Sequence, residues 1–418
     1  MDLRTLIDSH EACIANKRRS PDTVHFEFHR ERDLIRLYED FQSRDLVPLL
    51  YTFITPYPRW REVNACLQEG KDIQHYFDRI VRPLVEAELT DRTFNNRVGH
   101  GPDVAINRLL DDIYEVSEGY TRDCWIFFRD IKAYFPSADM RRSYSHYRSL
   151  IERNIPEGEV RDDLLYILLR TTWSYTAVHT HKKSPRWMWD AFIPKYKSVA
   201  LNYDFDHGAA LGNQHWQVAQ NYDLNDFDHW QVDTCRVHYG RFVDDMWWIF
   251  TDKERGLAHI AESERKLRDE YGYEMHADKR YCQHYTKGGK FISTPFRLDR
   301  IYVNNSVVYR CLRRIRWWNG HVSIANIGHF TACINSYLGR MKRLNAYGII
   351  RNIIERIAPK WWRYCFYNDR RRCVLPNLEY ARNELLKRKY NFKYHTKHGK
   401  RPTYYNGGFV PLPAQGAA

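Results

Sequence analysis

The segment that most constrains the fold runs from His238 to Phe250 and carries two adjacent aspartates in its middle, Asp244 and Asp245. The residues on both sides are mainly aromatic or β-branched, which predicts a hairpin with an acidic tip. Two neighbouring carboxylates on a tight turn repel each other unless a cation lies beside them, and divalent metal ions commonly take that place. The hairpin therefore predicts part of a metal site.

A second predicted strand supplies another carboxylate. An apolar run that begins at Cys124 reaches Asp130, and Pro136 then stops the strand. Each segment alone also fits a strand end with solvated acids, whereas the two in this order favour one shared site. Asp130 and Asp244 are the predicted ligands of two Mg²⁺ ions roughly 3.5–4 Å apart, for which Mn²⁺ can substitute. Such a pair activates a 3′-hydroxyl group and stabilises leaving pyrophosphate, which is polymerase chemistry.

Charge and aromatic content indicate nucleic acid as a partner. The chain has 65 Lys and Arg against 52 Asp and Glu, a net charge of +13, and 15% aromatic residues. Fourteen of the basic residues lie between Arg310 and Arg372, where only Glu355 and Asp369 are acidic. Basic side chains neutralise phosphates and aromatic rings stack on bases, so this combination is typical of nucleic-acid binding.

Length, cysteines and hydropathy exclude several other classes. At 418 residues the chain predicts two or three core-bearing units. The nine cysteines are scattered singly, which argues against a disulfide framework or a zinc knuckle. No apolar run has the length of a membrane span, and charges occur throughout Met1 to Ser20. We therefore expect a soluble cytoplasmic protein without a membrane partner.

The predicted elements alternate in the order expected for a polymerase palm. After the Asp130 strand come a helical region to about residue 175 and an aromatic, basic insert from His179 to Lys197. A long helix from Gly208 to His229 then leads into the acidic hairpin. An amphipathic helix over residues 253–270 and a short strand from Tyr273 to His276 follow.

Several motifs resemble those of bacterial reverse transcriptases, especially the diversity-generating retroelement group and the related defence-associated and abortive-infection groups. Asp130 to Ser137 reads Asp-Ile-Lys-Ala-Tyr-Phe-Pro-Ser and resembles the first catalytic motif, and Phe242 to Asp245 is similar to the aromatic-x-Asp-Asp motif. Gly208 to Gln217 resembles Gly-Leu-Pro-Ile-Gly-Asn-x-x-Ser-Gln, with Ala210 in place of Pro and Trp216 in place of Ser. The resemblance covers residues 50 to 350.

The resemblance implies an α+β, right-hand polymerase fold with fingers, an antiparallel palm sheet with helices, and an α-helical thumb. We predict an N-terminal helical extension over residues 1–50, fingers over 51–120, and a palm over 121–300 that contains a fingers insertion at about 140–200. The thumb is predicted over 301–390 and a C-terminal tail over 391–418.

The resemblance also assigns roles in the site. Asp130 and Asp244 would bridge both ions, the backbone carbonyl of Ile131 would complete the site of the nucleotide-bound ion, and Asp245 would be a weaker or outer ligand. Lys279 matches the lysine that protonates pyrophosphate; its alternative is a solvated lysine beside a turn. Phe135 would lie against the sugar and exclude a ribose 2′-hydroxyl, so the product would be DNA. Core packing of Phe135, with the neighbouring Tyr134 at the sugar, is the alternative.

Further residues are predicted to contact the substrates. Arg61 or Arg97 would hold the triphosphate with bidentate hydrogen bonds, or else contact the template backbone or a surface carboxylate. Gly212 and Gln217 belong to the segment beside the incoming nucleotide. The thumb would grip an RNA/DNA duplex through its basic residues, and we expect at least half of the four thumb tryptophans, 317, 318, 361 and 362, in the core. The basic thumb residues are Arg313, Arg314, Arg316, Lys342 and Arg343.

The function expected from the sequence is RNA-directed DNA polymerisation from dNTPs on a dedicated noncoding RNA template, in bacterial antiphage defence. One alternative is a retroelement enzyme that diversifies a target gene with an accessory protein. Others are primer-independent or untemplated DNA synthesis and a catalytically silent RNA-binding scaffold. An accessory protein or a second copy of the chain is a further potential partner.

Overall fold

The computed structural model describes residues 1–15, 21–47, 50–56, 60–174, 180–201, 204, 206–377 and 379. The chain divides into two compact units, of which the first contains Met1–Ile292 with Phe296–Arg300 and the second contains Ser293–Pro295 and the chain from Ile301 onward. The α+β class predicted from the sequence is confirmed. The finer division into extension, fingers, palm and thumb stays a prediction, and the predicted C-terminal tail lies outside the described residues.

Helices and strands follow one another along the whole described chain. The helices are α1 (Leu3–Ile14), α2 (Pro21–Glu27), α3 (Arg30–Gln42), α4 (Gln68–Glu88), α5 (Pro102–Val116), α6 (Met140–Asn154), α7 (Glu159–Thr172), α8 (Arg186–Phe192), α9 (Gln214–Asp223), α10 (Asn225–His229), α11 (Lys253–Tyr271), α12 (Asn305–Asn319), α13 (Ile327–Arg343) and α14 (Tyr347–Glu355). The strands are β1 (Leu50–Thr55), β2 (Arg61–Cys66), β3 (Trp125–Asp130), β4 (Thr180–Lys182), β5 (His238–Phe242), β6 (Asp245–Phe250), β7 (Tyr281–His284), β8 (Gly289–Phe291), β9 (Thr294–Arg297), β10 (Arg300–Ile301), β11 (Cys365–Asn368) and β12 (Cys373–Pro376).

A four-stranded antiparallel sheet forms the centre of the first unit, in the order β5-β6-β3-β7. The predicted hairpin is formed by β5 and β6, and the predicted strand that ends at Asp130 is β3, which pairs with β6. Alternation along the strands sends Phe127 and Trp248 to one face, where they join a core with Ile260 and Leu267 of α11. Each such fully buried side chain contributes about 1.5–3 kcal/mol.

Helix α11 is fixed to this face by its ends and by one close approach. Asp252 caps its first turn by accepting a hydrogen bond from the N–H of Arg255, and Gly272 ends it in the left-handed conformation with φ of 71°. In the first turn, Gly256 lies so close to the ring of Phe127 that an added Cβ would come within 2.5 Å of it. Glycine at this position lets the helix pack directly on the sheet.

Two predicted elements differ from the observed ones. The helix predicted from Gly208 begins only at Gln214, because Gly208 and Gly212 have φ values of 112° and 117°, which a helix cannot contain. The strand predicted from Tyr273 to His276 is reduced to a single bridge between Met275 and Ile131. The fourth strand of the sheet is instead β7, which follows a few residues later.

The second unit packs α12, α13 and α14 around their own core, to which the β11–β12 hairpin adds Cys365 and Val374. Trp318 and Trp361 are buried in this core, Trp317 is half-exposed, and Trp362 is partly buried. The expectation that at least half of these tryptophans belong to the core is confirmed. In the described residues, no helix has both the length and the apolar character needed to cross a membrane.

Candidate active site

The three predicted aspartates lie at one end of the central sheet. Asp130, the last residue of β3, lies directly opposite Asp245, the first residue of β6. Opposed Cα atoms in an antiparallel pair are about 4.5–5.5 Å apart, and their side chains project from the same face. The N–H of Ile131 donates a hydrogen bond to the carbonyl of Asp244 at 3.1 Å. The strand pairing thus brings Asp130 to both hairpin aspartates.

The turn that carries Asp244 is strained and is held by two hydrogen bonds, one from outside the hairpin and one from within it. Val243 has a φ of 60°, a region that β-branched residues rarely enter and that costs of order 1–3 kcal/mol. Its N–H donates to Oδ1 of Asn95 at 2.9 Å, and its carbonyl accepts from Nη1 of Arg241 at 3.3 Å. These two contacts fix the backbone immediately before Asp244.

A buried ion pair lies beneath this turn. Arg241 and Asp228 are both fully buried, and the guanidinium donates to the carboxylate at 2.5–3.1 Å. Asp228 also accepts from the hydroxyls of Tyr239 at 2.7 Å and Thr93 at 3.0 Å. Burial alone would lower the pKa of Arg241, but the Asp228 carboxylate outweighs this effect and raises it, so the guanidinium stays charged.

Asn95, Asp228 and Arg241 were not among the residues predicted from the sequence. Their contacts join positions that are 13 to 148 residues apart, and local patterns do not reveal such pairs. One available sign was Arg241 itself, a charged residue within a strand of apolar neighbours, which required a buried partner.

Lys279 is placed at the acidic cluster. Its ammonium forms an ion pair with the carboxylate of Asp130. The loop before Lys279 is tied to β3, because the N–H of His276 donates to the carbonyl of Asp130 at 2.8 Å. Lys279 therefore lies within reach of a group bound at Asp130, although its role as a proton donor stays a prediction.

The residues at this end of the sheet fit divalent magnesium. Three carboxylates offer the hard oxygen ligands that Mg²⁺ prefers. The bridge between Ile131 and Met275 uses the carbonyl of Asp130 and the N–H of Lys132, and this N–H donates to the carbonyl of Glu274 at 2.8 Å. The bridge therefore does not engage the carbonyl of Ile131. The side chain of Ile131 is buried, which holds its main chain at the site.

The two aromatic residues after Asp130 differ in environment. Tyr134 is buried, its hydroxyl donates to the carbonyl of Gln220, and its ring lies 5.1 Å from that of Tyr273. Phe135 is partly exposed and packs at the edge of the core. Phe135 is therefore the ring of this pair with a more accessible face, and its contact with a sugar stays a prediction.

The segment before α9 is pressed against β2. Gly212 approaches it so closely that a Cβ would lie 2.8 Å from the carbonyl oxygen of Asn64, and the N–H of Asn64 donates to the carbonyl of Leu211 at 2.6 Å. Trp216 is buried in the core of the first unit, so the tryptophan at this position serves packing. Gln217 is partly exposed, and its carbonyl accepts from Asn96 at 3.1 Å.

The two predicted triphosphate contacts have different surroundings. Arg61 is exposed at the start of β2. Arg97 is partly buried, and its Nη1 donates to the carbonyls of Thr90 and Thr93 at 2.5 and 3.0 Å. The guanidinium of Arg97 thus braces its own loop, and nucleotide contact by either arginine stays a prediction.

The predicted duplex-binding residues lie on the surface of the second unit. Arg313, Arg314 and Arg316 are exposed on α12, and Lys342 and Arg343 are exposed near the end of α13. Neither helix contains an acidic residue. The charged side chains of these two helices are therefore all basic, apart from histidine.

A second cluster of potential metal ligands lies away from the hairpin tip, at the far end of β5. Ligand atoms of Asp112, Glu115 and His238 lie within 4.8 Å of one another. However, both carboxylate oxygens of Asp112 already accept from Nη1 of Arg92 at 2.8 Å, and Nε of Arg108 lies 3.3 Å away. A dication would meet these two guanidinium groups, so the cluster does not fit a metal site.

Comparisons with known proteins add structural likenesses only. No family profile and no curated protein matches the chain. A solved telomerase from Candida albicans, in complex with a TWJ fragment of telomeric RNA, has 11% identity and a TM-score of 0.44 over 77% of this chain and 61% of that chain. The telomerase from Candida tropicalis with such a fragment has 10% identity and a TM-score of 0.42, over 78% of this chain and 62% of that chain. The apo telomerase from Candida tropicalis, truncated from its C-terminal domain, has 10% identity and a TM-score of 0.43, over 61% of this chain and 55% of that chain. This chain thus spans less than two thirds of each, and likeness at this level does not identify an activity.

Proposed function

We propose that the chain is an RNA-directed DNA polymerase, a nucleotidyltransferase that uses two divalent metal ions. The observation that carries the proposal is the pairing of Asp130 with Asp245, with Asp244 bonded through its carbonyl to Ile131. Two bound Mg²⁺ ions, or Mn²⁺ in their place, would lower the pKa of a 3′-hydroxyl group and neutralise the triphosphate.

In this proposal the residues of the chain position the reactants and the proton. Asp130 and Asp244 would hold both ions, the carbonyl of Ile131 would complete one site, and Asp245 would be an outer ligand. The 3′-hydroxyl group gives up its proton to solvent water, its oxygen attacks the α-phosphorus of the incoming dNTP, the bond from that phosphorus to the bridging oxygen breaks, and pyrophosphate leaves. Lys279, already beside Asp130, donates a proton to the leaving pyrophosphate.

The choice of sugar and the nucleic-acid partner rest on other parts of the chain. The accessible ring of Phe135 would collide with a ribose 2′-hydroxyl, which favours dNTPs and a DNA product. The acid-free helices α12 and α13 supply the positive charge for an RNA template and an RNA/DNA duplex. From the motif resemblance we further propose a dedicated noncoding RNA template and a role in antiphage defence in the bacterial cytoplasm.

Primer extension tests the catalytic assignment. Purified protein with Mg²⁺, an RNA template, a DNA primer and dNTPs is expected to extend the primer, and Asp130→Asn or Asp244→Asn is expected to abolish extension. The matched control is Asp123→Asn, because Asp123 is an exposed carboxylate just before the opposite end of β3, where it pairs with His284 at 3.1 Å. Unimpaired extension by Asp130→Asn, or no extension by the native protein, would contradict the assignment.

A further inference from the structure

A group of exposed aromatic side chains surrounds the insert between β4 and α9. We call this group the aromatic platform and define it by Trp60, Trp187, Phe192 and Tyr196. The rings of Trp60 and Phe192 are stacked with their centroids 3.8 Å apart and their planes 3° from parallel, and Trp187 meets Phe192 edge-on at 6.3 Å. Trp60, Trp187 and Tyr196 remain 40%, 61% and 52% exposed. Such large apolar rings at the surface call for a partner.

Positive charge accompanies these rings. Residues 180–201 contain five Lys and Arg and one acidic residue, Asp190, which pairs with Arg186 at 3.3 Å. The ammonium groups of Lys132 and Lys197 lie 5.7 and 5.4 Å from the ring centre of Tyr196. Lysine is depleted in protein–protein interfaces but suits phosphate, so the charge favours a nucleic acid over a protein partner.

The platform is anchored by one buried carboxylate. Glu62 of β2 accepts hydrogen bonds from Nε1 of Trp189 at 2.8 Å and from the N–H groups of Val199 and Ala200 at 2.9 Å. The hydroxyl of Ser198 donates to the same carboxylate. Trp189 is buried, so it supplies the apolar contact that holds the insert to the first unit. These contacts fix the insert, so the ring surfaces that stay exposed are held in place before any ligand arrives.

The position of the platform relates it to the candidate active site. Tyr196 lies beside Lys132, which is two residues beyond Asp130, and Trp60 directly precedes Arg61. A strand that leaves or enters the site along this side would meet the rings and lysines together.

We propose that the aromatic platform binds single-stranded RNA, with unpaired bases stacked on Trp60, Trp187 and Tyr196 and phosphates neutralised by Lys195 and Lys197. Stacking is tolerant of sequence because every base has a π face. That the bound RNA is the unpaired part of a template rests on the proposed function, whereas the binding of single-stranded RNA itself needs no catalysis.

The test measures binding in the absence of turnover. Fluorescence anisotropy of a labelled oligouridine is recorded with the full chain carrying Asp130→Asn, in EDTA. Trp187→Ala and Tyr196→Ala are each expected to raise the Kd about tenfold, since one base stack is lost. Tyr114→Ala is the matched control, because Tyr114 is an equally exposed ring, at 56%, on α5. It is expected to leave the Kd unchanged.

Salt dependence separates stacking from charge. Trp187→Ala is expected to preserve the slope of log K against log salt concentration, whereas Lys197→Gln lowers its magnitude by about 0.7. Unchanged thermal unfolding of Trp187→Ala confirms that the variant is folded. An unchanged Kd in the platform variants overturns the proposal. An equal loss of affinity for a blunt RNA duplex also overturns it, as does a protein partner that binds in a Trp187-dependent way while the chain binds no RNA. Because no nucleotide is incorporated in this assay, its outcome is independent of the primer-extension result.

Discussion

At the scale of single residues, the geometry of the acidic tip depends on a side chain far away in sequence. The amide oxygen of the Asn95 side chain accepts a hydrogen bond from the N–H of Val243. The amide nitrogen of Asn95 donates to the side-chain oxygen of Asn221, and the amide nitrogen of Asn221 donates to the backbone carbonyl of Asn95 at 2.6 Å. This reciprocal pair is buried. It compensates for a backbone conformation that Val243 would otherwise avoid.

Replacing Asn95 with Ala is expected to lower the free energy of unfolding by about 1–3 kcal/mol, because buried hydrogen-bonding groups are left without partners. It should also reduce primer extension, since the turn before Asp244 loses its support. Denaturant unfolding and extension rates measure the two effects. Asn154→Ala is the control, as Asn154 is exposed on α6, where its amide donates to the carbonyl of Leu150 at 2.9 Å. Normal extension by Asn95→Ala would show that the tip needs no such support.

Lys279 offers a second prediction at this scale. Lys279→Gln is expected to lower kcat about 10²-fold or more, because a positioned general acid typically contributes 10²–10⁴-fold. The affinity for primer and template should stay the same, since the ammonium contacts the acidic site. Single-turnover kinetics and a binding assay separate the two quantities, and partial recovery in Lys279→Arg would support a role for the charge. If kcat is unaffected, Lys279 is only an ion-pair partner of Asp130.

At the scale of elements, the strands that hold the carboxylates were predictable and their supports were not. The hairpin β5–β6 and the strand β3 have long apolar runs, and their pairing follows from the need to bury both faces. Strand β7 was missed because Tyr281 to His284 has no strong apolar alternation. The start of α9 was misplaced because Gly208 and Gly212 adopt positive φ where they pack against distant segments of the same chain, which the local sequence does not specify.

The N-terminal helices contain a pH-dependent contact. His10 on α1 is buried, with Nδ1 2.9 Å from Asp72 of α4 and Nε2 2.8 Å from Glu27 of α2. Asp72 also accepts from Gln68, and the ring of Phe26 lies 4.9 Å from that of His10. Burial would lower the pKa of His10, but the two carboxylates outweigh it and raise the pKa above its usual 6.5.

Because the folded pKa is raised, the stabilisation by His10 is fully present below pH 6.5 and is lost as the pH rises through the folded pKa. The free energy of unfolding of the native chain is therefore expected to fall over this range relative to that of His10→Gln. Denaturant unfolding at a series of pH values gives this difference. Parallel profiles for the two proteins would contradict a charged His10 in the folded chain.

At the scale of the whole molecule, charge is distributed unevenly between the two units. The basic stretch recognised in the sequence forms the acid-free surfaces of α12 and α13, so its location was predictable from composition alone. Which tryptophans of this stretch face the solvent was not predictable, because Trp317 and Trp318 are adjacent and only packing separates them.

Neutralising this surface is expected to change the salt dependence of duplex binding. Each of Arg313→Gln and Arg316→Gln should lower the slope of log K against log salt concentration by about 0.9 if its guanidinium contacts a phosphate of the duplex. Arg148→Gln is the control, because Arg148 is exposed on α6 and pairs with Glu152 at 2.8 Å. If the slopes of both variants equal that of the native chain, α12 does not contact the phosphates of the duplex.

The most direct test of the central claim is the position of the metal ions. Crystals of the chain grown with Mn²⁺ and a non-hydrolysable dNTP analogue would locate the ions by anomalous scattering. Two peaks are expected about 3.5–4 Å apart, both in contact with the carboxylates of Asp130 and Asp244. An acidic tip without a peak, or a peak only at Asp112, Glu115 and His238, would contradict it.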